Sequence, residues 1–324
     1  MAQSFYPIAP VEVTPGSAED WIDVDVGAHV PSVATGVILH VVNTDAGDNH
    51  AIGLRKKGST DDRTAEIDYI SHCWAAIGVD ANRVFQAYVA DKDNVDIYLV
   101  GYTGSGVTFF TNAYDKSLGV TGSWQDIDCS TEAPSAIGLI FEAVGDPVSE
   151  YYMGLRKNGS TDNRITESWG HNTFGVIVGC DDSQVCEGYI QDTDEDFFLV
   201  GYITEGAVFN TNATDLSLGS TGSWLDLSTL SSDSIMAFIE VSSSANYNYG
   251  LRKNGSDEDI YRYAYYHPWA FVECDANGII EGKIENVGAD FFLVGYATCV
   301  PRKLLKGVGN TVLKDGNTVL TLRR

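Results

Sequence analysis

Three histidine–tryptophan pairs offer the first chemistry in this chain: His72 with Trp74, Trp169 with His171, and His267 with Trp269, one pair in each third of the sequence. An imidazole beside an indole can stack on and hydrogen-bond a sugar ring, or hold a cation, so the six residues are candidate ligand contacts. The competing reading is a packed or hydrogen-bonded pair inside a sheet. Recurrence favours that second reading, because a catalytic site seldom needs three copies in one chain.

Acidic clusters are the second candidates. Asp91, Asp93 and Asp96 form the first; Asp192, Asp194, Glu195 and Asp196 the second; Glu285 and Asp290 a poorer third. Their oxygens could hold calcium, but the central glycine and terminal glutamate of an EF-hand loop are absent, so solvated loop charge is the preferred reading and no metal site is assigned. The chain has no Gly-x-Ser-x-Gly elbow, Walker loop, HExxH or dinucleotide fingerprint. Paired carboxylates for glycoside hydrolysis are defined by separation in space, which acid abundance does not supply. The expectation is a non-enzymatic protein without a cofactor.

The elements that must position these residues are repeated. Gly53-Leu54-Arg55-Lys56-Lys57-Gly58-Ser59-Thr60 returns as Gly154-Leu155-Arg156-Lys157-Asn158-Gly159-Ser160-Thr161 and as Gly250-Leu251-Arg252-Lys253-Asn254-Gly255-Ser256-Asp257. Tyr98-Leu99-Val100-Gly101-Tyr102 matches Phe198 to Tyr202 and Phe292 to Tyr296, and Trp21, Trp124 and Trp224 each open a unit. One folding unit has been copied in tandem, and each copy is long enough for its own core. Each holds short segments rich in Val, Ile, Phe, Tyr and Thr between Gly, Asn, Asp and Ser clusters, with no 3.6-residue apolar period. That pattern predicts an all-β chain of three tandem antiparallel β-sandwich, jelly-roll-like domains with extended terminal arms. The expected boundaries are an extended arm over residues 1–16, repeats over 17–120, 121–220 and 221–300, and a basic β-hairpin tail over 301–324.

Asn158-Gly159 and Asn254-Gly255 fit tight hairpin turns, which explains the Asn-x-Ser sequons there without a glycan. Thr111-Asn112-Ala113-Tyr114-Asp115-Lys116-Ser117-Leu118-Gly119 recurs as Thr211-Asn212-Ala213-Thr214-Asp215-Leu216-Ser217-Leu218-Gly219. A flexible tether needs no such shared sequence, so neighbouring units are expected to hold a fixed orientation.

The formal net charge of −25 argues against a nucleic-acid-binding face, which draws its affinity from Lys and Arg. No run of 18 apolar residues exists to span a membrane, and the N-terminal residues lack a secretory signal. The six cysteines do not recur as equivalent pairs, so buried free thiols are expected rather than a disulfide framework.

The tail reverses the charge. Arg302, Lys303, Lys306, Lys314, Arg323 and Arg324 face the single acid Asp315, and Gly309-Asn310-Thr311-Val312-Leu313 duplicates as Gly316-Asn317-Thr318-Val319-Leu320. A small hairpin with its turn at Lys314 to Asn317 needs a sheet to join. It either replaces a last strand missing from the third unit or adds strands to a neighbouring subunit. In the latter case Arg302, Lys303, Lys306, Val312, Leu313, Val319 and Leu320 are the candidate assembly residues.

The string Gly-Leu-Arg-Lys-Asn-Gly-Ser followed by Phe-Phe-Leu-Val-Gly-Tyr resembles repeated β-sandwich modules of virion proteins from tailed phages and related viruses, over residues 17–296. The resemblance implies a surface or assembly role and carries no catalytic residues. The expectations are therefore a structural virion component (decoration, fibre or tail-associated subunit), with itself and other virion proteins as partners and the virion as location. A carbohydrate-binding or adhesin module, with a cell-surface glycan as ligand, is the alternative.

Overall fold

The computed structural model describes residues 3–146, 149–168, 172–227, 231–264 and 267–299, and backbone strands of the C-terminal tail. The first repeat contributes β1 (Phe5–Glu12), β2 (Ile22–Asp25), β3 (Gly36–Asn43), β4 (His50–Lys56), β5 (Ala65–Ile67), β6 (His72–Gly78), β7 (Val84–Val89) and β8 (Val95–Thr103). The second contributes β9 (Val107–Asp115), β10 (Gln125–Asp128), β11 (Gly138–Val144), β12 (Tyr151–Lys157), β13 (Thr166–Ser168), β14 (Thr173–Gly179), β15 (Val185–Ile190) and β16 (Asp196–Ile203). The third contributes β17 (Ala207–Asp215), β18 (Leu225–Leu227), β19 (Ser234–Ser243), β20 (Asn248–Lys253), β21 (Arg262–Tyr263), β22 (Trp269–Glu273), β23 (Ile280–Ile284) and β24 (Ala289–Thr298).

These strands form six small antiparallel sheets of four strands each. Counted as sheets, this is the inventory of a six-bladed β-propeller. No sheet, however, is a run of four consecutive strands. In the first repeat the chain alternates between β1-β8-β3-β6 and β2-β7-β4-β5, and the other repeats copy that exchange. The two sheets of a repeat face each other: a Cβ added at Gly282 on β23 would meet the Phe291 ring of β24 at 2.8 Å. Alternation along β7 and β8 sends Phe85, Ala87, Val89, Val95, Ile97 and Leu99 inward, as the two-residue strand period requires.

The three repeats close on one another. Strands β6, β14 and β22 touch pairwise, and one apolar core runs through all three repeats. Strand β3 is buried along its whole length, because one side faces the partner sheet and the other a neighbouring repeat. The first strand of each sheet set packs back onto the preceding repeat: β9 onto β4 and β6, β17 onto β12 and β14, and β1 onto β19. The correction to the sequence reading is one of closure and count. Six small four-stranded sheets in one closed body stand in place of three tandem jelly-roll-like sandwich domains with extended terminal arms.

The N-terminal residues are not a free arm. Phe5–Glu12 pairs with β8, and Phe5 is fully buried. Residues 107–115 pair with β16 and residues 207–215 with β24, so each boundary falls before those strands rather than after them. The third repeat therefore lacks no strand for the tail to replace. The tail forms its own three-stranded sheet of β25 (Leu305–Gly307), β26 (Asn310–Asp315) and β27 (Thr318–Thr321), rather than a two-stranded hairpin.

Candidate functional site

The recurrent motifs converge on the seams between repeats. At the first seam, Asn112 Oδ1 on β9 accepts from Ser59 Oγ and the Thr60 N–H at 2.9 Å each, and Asp61 Oδ2 accepts from the Ala113 N–H at 2.8 Å. At the second, Asn212 Oδ1 accepts from Ser160 Oγ and the Thr161 N–H, and Asp162 Oδ2 from the Ala213 N–H. The Gly-Leu-Arg-Lys-x-Gly-Ser string and the Thr-Asn-Ala string are thus two halves of one joint. Asn158 and Asn254 also have structural partners, donating to Asp181 and Asp275.

Two further devices repeat at these seams. Phe109 of β9 fills the space over Gly36 and Gly78, where a Cβ at Gly78 would lie 2.6 Å from its own Cβ; Phe209 of β17 does the same over Gly138 and Gly179. Lys56 and Lys157 then donate to the carbonyls of Phe109 and Phe209 at 3.1 and 3.3 Å. Across each seam an arginine binds a glutamate. Arg63 pairs with Glu142 at 2.7 Å and Asp61 at 3.2 Å, lying over the Phe198 ring; Arg164 pairs with Glu240 at 2.7 Å and Asp162 at 3.0 Å, over Phe292. Burial pushes the Glu142 carboxyl up, against the opposing pull of Arg63.

The third seam, where the third repeat meets the first, is built differently. The position of Arg63 and Arg164, whose carbonyls lie over Gly53 and Gly154, is Ile260 over Gly250. The position of Glu142 and Glu240 is His40, since these three stand opposite Gly175, Trp269 and Trp74 respectively. The Phe109 position is Pro7, and the socket glycines are replaced by Met236 and Glu273. Met236 Cε reaches to within 3.3 Å of a Cβ built at Gly101, and Lys253 donates to Glu273 at 2.7 Å instead of to a carbonyl. Phe5 packs against Phe238 with ring centres 5.3 Å apart and planes tilted by 59°.

The expected ligand residues fall on this frame. His72 and Trp74 lie on β6, buried, with the Trp74 ring stacked 3.9 Å from His40 and His72 Nδ1 hydrogen-bonded to His40 Nε2 at 2.9 Å. Burial pushes His40 down to about 3 and His72 well below its ordinary value, so both rings are neutral. His267 and Trp269 are equally buried, and His267 Nε2 meets Glu240 Oε1 at 2.7 Å. Trp169 and His171 lie outside the described residues. Strand register makes Thr173 and Gly175, rather than His171 and Trp169, the counterparts of His72 and Trp74. The structure thus gives His72, Trp74, His267 and Trp269 packing and hydrogen-bonding partners at the seams and axis.

All six cysteines are free, and burial pushes the thiols of Cys73, Cys129, Cys180 and Cys274 up to about 12. Of the tail residues, Arg302 and Lys303 lie outside the described residues. Lys306, Val312, Leu313, Val319 and Leu320 are described by backbone alone.

Among the described residues, one group has metal-ligand spacing: Asp45, His50 and Asp91, with ligand atoms within 4.8 Å of one another. Sequence reading found only Asp91, because Asp45 in the β3–β4 loop and His50 at the start of β4 lie outside the acidic clusters. His50 Nε2 lies 3.1 Å from Asp45 Oδ2 and 3.9 Å from Asp91 Oδ2. Both acids are held below the ordinary carboxylate range, Asp45 by the Gly47 N–H and by His50, Asp91 by the Asn94 amide and the Asp93 N–H. Every ligand atom of the trio therefore already has a partner, within the trio or in the turn beside it.

The chain matches no protein-family model and no curated protein.

Proposed function

We propose that this chain is a non-enzymatic assembly protein, a structural component of a virion surface that works as one pre-joined pseudo-threefold block. The observation that carries this reading is where the recurrent residues go. The motifs repeated most faithfully, from Gly53 to Thr60 and from Thr111 to Gly119 with their copies, make joints between repeats. A protein whose repeated sequence is spent on mutual docking has been shaped for a rigid form. The acidic surface, net −25 over the chain, keeps such blocks from associating indiscriminately, and the basic tail supplies one attachment of opposite sign.

The test is the solution mass, by light scattering, of the full chain and of a version ending at Pro301. Assembly of the full chain with a folded, monomeric truncation supports the reading; two monomers would remove the tail from the assembly mechanism. The glycan alternative would have to use other residues than His72, Trp74, His267 and Trp269, which are buried. The half-exposed Tyr6 and Tyr102 rings, stacked 4.8 Å apart, are the flat aromatic surface on which a glycan screen should focus.

A further inference from the structure

At one end of the central strands, all three repeats meet around a pocket lined by Glu66, Asp68 and His72 of the first, Asn172 of the second, and Ala264 and Pro268 of the third. The backbone fixes this meeting point: Glu66 bridges to Asn172, and Ser71 to Tyr263. Asp68 is 1% exposed and Asn172 is 8% exposed. Asp68 Oδ2 accepts from Asn172 Nδ2 at 2.6 Å, which joins repeats 1 and 2 across the axis. The second oxygen of each group is bare: Asp68 Oδ1 and Asn172 Oδ1 are buried without a hydrogen-bond partner.

Two buried acceptors side by side ask for a donor or a cation, because an unsatisfied buried polar atom keeps its full desolvation cost. Burial pushes the Asp68 carboxyl up to about 7, the direction expected when no positive charge is beside it. Among the described residues no Lys or Arg lines the pocket, the nearby Arg262 acting on His72, and Glu66 adds a second carboxylate to its wall. Carboxylates with an amide carbonyl are the oxygen set that hard divalent cations take. The contrast with Asp45, His50 and Asp91 decides between the two places: those side chains are partnered by one another and by the turns around them, whereas here Glu66 accepts from Asn49 Nδ2 at 3.1 Å but Asp68 Oδ1 and Asn172 Oδ1 have no partner.

We infer that this pocket binds one hard divalent cation of the calcium class, through Asp68, Glu66 and the Asn172 carbonyl oxygen, and so ties the repeats together on their axis. The inference stands apart from the assembly reading, since it concerns a single chain whatever its solution mass. The test uses the full chain, stripped with EDTA, titrated with CaCl2 by calorimetry and scanned for its thermal midpoint with and without the ion. The expected result is one site per chain and a midpoint that rises with calcium. Asp68→Asn, close to isosteric, should weaken binding at least about tenfold and abolish the rise, while Asp91→Asn should behave as the parent. If Asp68→Asn does not fold, Glu66→Gln carries the same test. No heat and no midpoint change in the parent would overturn the inference, as would binding that survives the pocket variants or disappears in Asp91→Asn.

Discussion

The two seams that follow the chain and the one that closes the ring do the same job with different residues. At the first two, the chain runs directly from β8 into β9 and from β16 into β17, so the incoming strand is delivered beside its docking surface. There a phenylalanine drops over two glycines, a lysine caps its carbonyl, and an arginine crosses to a glutamate. At the closing seam, β1 and the third repeat it packs on lie at opposite ends of the repeat array, so β24 does not run into β1. Pro7 stands where the phenylalanine would, Met236 and Glu273 fill the socket from below, and Ile260 and His40 hold the positions of the arginine and the glutamate. The comparison teaches that what is preserved around the ring is filled volume, while among the described residues the Arg–Glu crossing is present where one repeat runs directly into the next.

The largest expected effect comes from emptying a seam. Phe109→Ala removes a buried ring from a socket lined by backbone and should destabilise by about 3–5 kcal/mol, the range for large-to-small changes at sites that cannot collapse. Met236→Ala, the matching change at the closing seam, should cost about 2–5 kcal/mol. Denaturant unfolding of both checks the comparison. If Phe109→Ala proves nearly neutral while Met236→Ala does not, the plug does not hold the first seam.

Next comes the charged crossing. Arg164→Met leaves the Glu240 carboxylate, 1% exposed, with His267 as its remaining side-chain partner, and should cost about 3 kcal/mol, in the range for breaking one side of a buried pair. Arg164→Met combined with Glu240→Gln should recover part of that loss, because the uncompensated charge has gone. Equal losses in the single and double variants, measured by chemical unfolding, would mean that the Glu240 charge is not what makes the seam expensive to break.

Much of this was legible in the sequence, and the part that was not has physical causes. The strands of one repeat follow from the two-residue alternation, as in Val95, Ile97 and Leu99. Fixed orientation of neighbours was readable from Thr111 to Gly119 and its copy, but the receptor for that string, Ser59 to Asp61, lies some fifty residues earlier and looked like an ordinary turn. Closure had a signal that was passed over: Gly36–Asn43 and Gly138–Val144 are near-continuous apolar runs, the mark of a strand buried on both faces, where a free-standing sandwich with one wet face would alternate. The His171 equivalence failed by two residues because matching by neighbouring tryptophans ignores pairing register, and it is register that places Thr173 opposite Val144 as His72 is opposite Val42. The Asp45, His50 and Asp91 trio could not be assembled from one sequence, since Asp45 and His50 lie in the β3–β4 loop and at the start of β4, and only folding brings them beside Asp91 before β8.

A smaller effect is expected from pH, and it separates the axis from the closing seam. Burial raises Asp68 from 3.8 to about 7, so the folded chain holds a proton that the unfolded chain releases. Stability from that proton is complete below the ordinary carboxyl value and is lost as pH rises through about 7, with a slope of at most about 1.4 kcal/mol per pH unit. His40 acts with the opposite sign. Its folded value near 3 lies below 6.5, so its contribution is present above 6.5 and is lost as pH falls. Without divalent ions, the stability of the parent relative to Asp68→Asn should fall between about pH 5 and about pH 8. A difference that stays flat over that range would show that Asp68 is ionised in the folded chain.

The last prediction rebuilds the missing crossing. Ile260→Arg alone adds a cation without its glutamate at the closing seam, and His40→Glu alone buries a carboxylate against Trp74, so each single change should destabilise the ring, the second more. Together they recreate at the closing seam what Arg63 and Glu142 make at the first, with Tyr98 standing where Phe198 lies under the guanidinium. The pair should therefore show a favourable coupling of about 1–3 kcal/mol in a double-mutant cycle, even if the double variant is no more stable than the parent. Hydrogen exchange gives the finer reading. In the parent, β1 and β19 should exchange before β9 and β17, because among the described residues their seam has no Arg–Glu crossing and β24 does not run into β1; in the double variant that gap should narrow. Additive single effects, or no change in exchange order, would mean that covalent continuity rather than the Arg–Glu crossing distinguishes the two kinds of seam.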